Sequence, residues 1–93
     1  MPSDLEPLSR DVTIVNELGL HARAAAKLAK LAQQATGAVW LQAGSERVDA
    51  KQVIDILTLA AGKGTPAKVE VESAADIHTL DQIESLIAEG FGE

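Results

Sequence analysis

His21 and Arg23 stand two residues apart in the run Gly19-Leu20-His21-Ala22-Arg23-Ala24-Ala25-Ala26, and the pair can do phosphoryl chemistry. A neutral imidazole is a nucleophile that titrates near neutrality. A guanidinium presents a fork matched to phosphate oxygens. Two elements must hold them. Val12-Thr13-Ile14-Val15 is β-branched and alternating, which predicts a strand, and Ala22 to Thr36 reads as an alanine-rich helix. Gly19 between them can take the positive φ that a sharp change of direction needs. His21 is thereby placed at or beside a helix N-terminus, where backbone N–H groups lack partners and the positive end of the helix dipole favours an anion. A lone histidine at a helix start is more often a cap or a surface residue. A glycine two residues before it and an arginine two after, at a strand-to-helix turn, point instead to a histidine that is itself phosphorylated.

Charge distribution narrows the partners. The chain has 93 residues and a net charge of −6, which argues against nucleic acid, and one Trp and one Phe leave no platform for stacking bases. Between Glu17 and Glu46 there is no acidic residue, and Arg23, Lys27 and Lys30 fall in that window. On a helix they share one face, a basic strip suited to an acidic docking surface and to salt-dependent association. Ala25, Leu28, Leu31, Ala32 and Ala35 form the opposite, buried stripe. No metal site is expected, because there is no cysteine and His21 and His78 are far apart without accompanying ligands. His78 reads as a surface residue. No cofactor is implied.

Residues 1–10 form a short polar lead-in with Asp4, Glu6 and two prolines, and residues 11–93 a single domain. With no apolar leader and no stretch long enough to span a bilayer, the protein is expected in the cytoplasm, without membrane insertion. Further strands are expected at Ala38–Gln42, following Gly37, and around Arg47–Asp49 after the tight connection Ala43-Gly44-Ser45-Glu46. A second helix over Gln52–Ala60 would bury Val53, Ile56, Leu57 and Ala60. Gly62-Lys63-Gly64-Thr65-Pro66 has turn chemistry but not the spacing of a P-loop. Lys68-Val69-Glu70-Val71-Glu72 alternates strictly and should face its valines to the core. Ser73-Ala74-Ala75-Asp76 has the form of a capping box opening a third helix that buries Ile77, Leu80, Ile83 and Ile87 and stops at Gly90. The order β-α-β-β-α-β-α makes the first two strands parallel, with room for the last to pair antiparallel between them. The fold class is α+β: an open-faced sandwich of a four-stranded antiparallel sheet with three helices on one face.

Gly19-Leu20-His21-Ala22-Arg23, followed by small residues, resembles the active-site motif G-L-H-[AT]-R-P-A of the HPr family, the histidine phosphocarriers of the bacterial phosphotransferase system. The resemblance covers about residues 11–91 and takes in Ala50-Lys51 and the Gly-Lys-Gly turn. It implies the same open-faced sandwich. It also implies that His21 accepts a phosphoryl group at Nδ1 while Arg23 balances its charge, and that Ala26, Val53, Ile54 and Leu57, flanked by Lys27 and Lys30, meet partners. Those partners would be phosphorylated enzyme I, charged by phosphoenolpyruvate, and a histidine of an enzyme IIA component. The protein would then be a monomeric carrier rather than an enzyme. Asn16, Leu18, Gly19 and the Gly90-Phe91 ending resemble the nitrogen-branch members of the family, so a sugar-uptake role and a regulatory one both stand. A third reading, of another class, is an HPr-fold binding protein acting by contact without phosphoryl transfer. Two positions depart from the family. Ala24 replaces proline and adds an N–H to the first turn, and Gln52 occupies a position where many relatives carry a kinase-regulated serine.

Overall fold

The computed structural model describes residues 8–93. Its four strands are β1 (Ser9–Thr13), β2 (Val39–Ala43), β3 (Glu46–Asp49) and β4 (Pro66–Val71). They form one sheet in the order β1-β4-β2-β3, with every neighbouring pair antiparallel. The last strand does fill the gap between the first two. Val69 sets the register on both sides, opposite Arg10 on β1 and Leu41 on β2. Along β4 the expected alternation holds, with Ala67, Val69 and Val71 buried and Pro66 and Lys68 exposed.

Helices α1 (Ala22–Ala32), α2 (Val53–Thr58) and α3 (Ile77–Ala88) cover one face of the sheet. Leu28, Leu41, Ile56, Val69, Ile83 and Ile87 are fully buried in one core. On the other face Trp40 stays half-buried, with the Arg47 guanidinium 4.5 Å from its ring centroid.

Local chemistry moved several boundaries. β1 ends at Thr13 instead of Val15, and it takes in Ser9 and Arg10 from the polar lead-in. Ile14 is nevertheless buried and Val15 exposed, as the alternation required. The first helix stops at Ala32, short of Thr36. Tight turns follow it, and the Asp76 carboxylate accepts the backbone N–H groups of Thr36 and Gly37, both at 2.9 Å. Asp76 is thus drawn away from the expected capping box, which is half made: the Ser73 hydroxyl accepts from Ala75 N–H at 3.1 Å, and Asp76 reaches across the molecule instead of back. These hydrogen bonds, those from the Thr36 and Gly37 N–H groups foremost, hold the Asp76 carboxyl below its ordinary range.

The second helix covers Val53–Thr58, shorter than the expected Gln52–Ala60, because Ala60 turns into the left-handed region at φ 50°. Of its predicted stripe only Ile56 is fully buried; Leu57 and Ala60 are exposed and Val53 half-buried. A six-residue helix makes too few turns to carry a long buried stripe. The third helix ends near Gly90 as expected, but the chain does not stop contributing there. Phe91, at φ 59°, is fully buried and brings the last residues back over the N-terminus of α1.

Candidate functional site

The turn into α1 is built before the histidine is reached. Gly19 adopts φ +66°, and a Cβ there would lie 2.5 Å from the Ala61 carbonyl oxygen and 2.8 Å from the Gly62 Cα. The close approach allows Leu20 N–H to donate to the Ala61 carbonyl at 2.9 Å, which docks the turn on the segment following α2. Asn16 closes it from inside: its amide donates to the Gly19 carbonyl at 2.8 Å, while Gly19 N–H returns a bond to the Asn16 carbonyl at 3.1 Å.

His21 is the N-cap of α1, with extended backbone (φ −77°, ψ 178°). Its carbonyl accepts the first helical bond, from Ala25 N–H at 2.8 Å. Nδ1 accepts from Arg23 N–H at 3.3 Å, and Nε2 meets the side-chain carboxylate of Glu93. A carboxylate accepts and a helix N–H donates, so the assigned tautomer has its proton on Nε2 and its lone pair on Nδ1. That lone pair faces the helix N-terminus. Among the described residues the N–H groups of Ala22 and Ala24 have no hydrogen-bond acceptor, and the first turn contains no acidic side chain. The side chain of His21 is 24% exposed, enough for an anion to reach the ring.

Arg23 is exposed beside it, and its guanidinium makes no hydrogen bond or ion pair among the described residues. The basic strip is real but not uniform. Lys30 is exposed, whereas Lys27 spends its ammonium on the Phe91 carbonyl at 2.6 Å. Of the expected apolar contact residues, Ile54 is 75% exposed, Leu57 36%, Ala26 is exposed and Val53 half-buried, on two helices that pack together. Leu18, 71% exposed on the loop leading to His21, was not anticipated. His78 lies on the surface of α3, and no group of three potential metal ligands occurs among the described residues. No helix there is long and apolar enough to cross a membrane.

Two residues at the site escaped the sequence reading. Asn16 stood out only as part of the stretch that resembles the nitrogen-branch members, with no structural role attached. Glu93 had no signal at all, since it lies 72 positions from His21 and arrives through the left-handed turn at Phe91. Its carboxylate accepts from Asn16 at 3.0 Å and from His21, and its side chain is 18% exposed. These two hydrogen bonds, Asn16's the larger, keep the Glu93 carboxyl below its ordinary range; the charge of Arg23 acts the same way.

Fold and site together define a small α+β protein that offers one imidazole nitrogen, an open helix N-terminus and a free guanidinium to an anion. Comparison with known proteins gives that class its family. The family model described as "PTS HPr component phosphorylation site" matches residues 8–89. The phosphocarrier protein HPr of Cupriavidus necator is 42% identical over 86 residues, covering 92% of this chain and 97% of its own. The phosphocarrier protein NPr of Shewanella violacea is 37% identical, covering 92% and 94%. A crystal structure of HPr-C-His from Thermoanaerobacter tengcongensis superposes with a TM-score of 0.86 at 28% identity, covering 91% of this chain and 96% of that one. The chain belongs to the HPr family of phosphocarriers of the phosphotransferase system.

Proposed function

We propose that His21 is the phosphoryl acceptor, taking the group from phosphorylated enzyme I and passing it to a histidine of an enzyme IIA component. The observation that carries this reading is the Nδ1 lone pair of His21, held at the head of α1 beside unpaired N–H groups and the free Arg23 guanidinium. In the accepting step the Nδ1 lone pair forms the N–P bond as the donor's own bond to phosphorus breaks, with its electron pair leaving on the donor. The ring, still protonated at Nε2, becomes cationic; transfer onward reverses this and restores the neutral ring. Aligning the groups and balancing three phosphoryl oxygens is most of what such chemistry asks of a protein. The Arg23 guanidinium and the N–H groups of Ala22 and Arg23, the latter released from Nδ1 as that nitrogen bonds phosphorus, supply the donors.

Ala26, Val53, Ile54 and Leu57 form the apolar part of the docking surface, with Leu18 adding to it, and Lys30 and Arg23 form its basic edge; Lys27 contributes mainly by bracing the tail. The protein acts as a stoichiometric carrier, in the cytoplasm, as a monomer that each partner binds and releases in turn. Gln52 caps α2 without a side-chain hydrogen bond and offers no hydroxyl, so no kinase control operates at that position. Incubation with phosphoenolpyruvate and enzyme I should give an acid-labile, alkali-stable label on the protein and none on His21→Ala. No label with a competent enzyme I would favour a binding protein that keeps the fold without the chemistry. Sugar-uptake and nitrogen-branch IIA components then compete as acceptors of the label, and the faster one names the branch.

A further inference from the structure

We propose that Glu93 is a positioning residue for phosphoryl transfer: its side-chain carboxylate, braced by Asn16, holds the His21 ring through Nε2 and balances the positive charge the ring acquires when Nδ1 bonds phosphorus. The inference rests on His21 as acceptor but concerns the opposite edge of the ring.

The geometry is that of a carboxylate–histidine pair. Glu93 Oε2 meets His21 Nε2, and Glu93 Oε1 accepts from the Asn16 amide at 3.0 Å, so both oxygens are engaged and the carboxylate is fixed in place. Asn16 itself is 6% exposed and ties the same amide to the Gly19 carbonyl at 2.8 Å. One buried side chain therefore locates both the turn that presents His21 and the group that orients its ring. The tail is independently secured by the fully buried Phe91 ring and by Lys27, whose ammonium holds the Phe91 carbonyl at 2.6 Å. Asn16, Lys27 and the Phe91 ring thus secure the segment that carries Glu93 at three points.

The electrostatics favour the phosphorylated state. A neutral ring donating from Nε2 to a carboxylate makes an ordinary charge-assisted bond; a cationic ring makes a stronger one. Bond formation at Nδ1 is therefore assisted from Nε2 with no proton transfer, the role a carboxylate plays behind a catalytic histidine elsewhere. The incoming phosphoryl group is negative and is repelled by Glu93, but it sits across the ring, next to Arg23 and the N–H groups of α1. At contact distance the attraction of Glu93 for the ring outweighs that repulsion. The other charges near the ring are Arg23 on α1 and Lys27, already occupied; Glu17, on the approach loop, pairs with Lys63.

Phosphoramidate, a small phosphoryl donor for histidine, tests the idea without any partner protein. Uniformly 15N-labelled parent protein should show a downfield, slowly exchanging proton coupled to His21 Nε2, and Glu93→Gln should lose that proton while its remaining backbone amide spectrum stays in place. The rate of His21 phosphorylation by phosphoramidate should fall about tenfold in Glu93→Gln, and Glu46→Gln, on an exposed strand end, should match the parent. With enzyme I as donor the loss should appear in kcat with KM unchanged, whereas a merely displaced docking surface would raise KM. Label on the parent and an equal rate in Glu93→Gln overturn the role of Glu93 alone, as does absence of the Nε2 proton from the parent. A parent that takes no label from phosphoramidate or from enzyme I while keeping its Nε2 proton overturns His21 as acceptor and the proposal with it.

Discussion

Replacing Arg23 by alanine should slow phosphorylation of His21 by about tenfold to a hundredfold, the value of one charge-assisted hydrogen bond to a phosphoryl oxygen, about 1.5–3 kcal/mol. The fold should not change, because the guanidinium is exposed and bonds to nothing among the described residues; initial rates of labelling and an unchanged circular dichroism melt check the two halves. Ala24→Pro should leave labelling within about threefold of the parent, since the third helical position has no intrahelical acceptor for its N–H to lose. At this scale the sequence was highly legible where function is local. Histidine, arginine and glycine lie within five residues, and their spacing alone builds an N-cap with a basic neighbour. Glu93 and Asn16 were not legible. What brings a carboxylate 72 positions away onto Nε2 is a left-handed phenylalanine packed into the core, and no periodicity encodes that.

Two joints hold the elements that frame the site, and each makes its own demand. Gly19→Ala would force a Cβ into the Ala61 carbonyl and a left-handed φ on a residue that resists it. The cost should be at least about 2 kcal/mol, read from urea unfolding, with slower labelling because the turn that presents His21 shifts. Asp76 joins the end of α1 to the start of α3. Its folded value lies below the ordinary carboxyl value of about 3.9, so the charged form favours the folded state. That contribution is complete above the unfolded value and is lost as pH falls through the folded one. Thermal unfolding followed from pH 7 to 2.5 should accordingly show a shallower acid decline for Asp76→Asn than for the parent, along with lower stability at neutral pH. Element types and order were readable from the alternation of β4 and the apolar spacing of α1 and α3. Boundaries were misjudged where a side chain outbid the helix for its backbone groups, as Asp76 does at Thr36 and Gly37, or where a left-handed residue such as Ala60 ended it early.

Seen whole, the molecule is an acidic sandwich with one basic, partly apolar corner, and that corner surrounds His21. Ile54, three-quarters exposed at the head of α2, has no role in the core. Ile54→Glu should therefore leave stability within about 0.5 kcal/mol while raising the KM for enzyme I about tenfold, and added salt should weaken association of the parent. The topology followed from connectivity: a helix between the first two strands leaves a slot that only the last strand can fill, and β4 fills it. Which macromolecule docks on the corner was never encoded in that logic, because exposure and charge describe a surface and not its occupant. The central claim is that His21 carries a transferable phosphoryl group on Nδ1. Its most direct test is 31P and 15N NMR of the protein after incubation with phosphoenolpyruvate and enzyme I: a phosphorus resonance coupled to Nδ1 of His21, which disappears on adding a competent IIA component, is the predicted result. Phosphate found on Nε2, on another residue, or nowhere would contradict it.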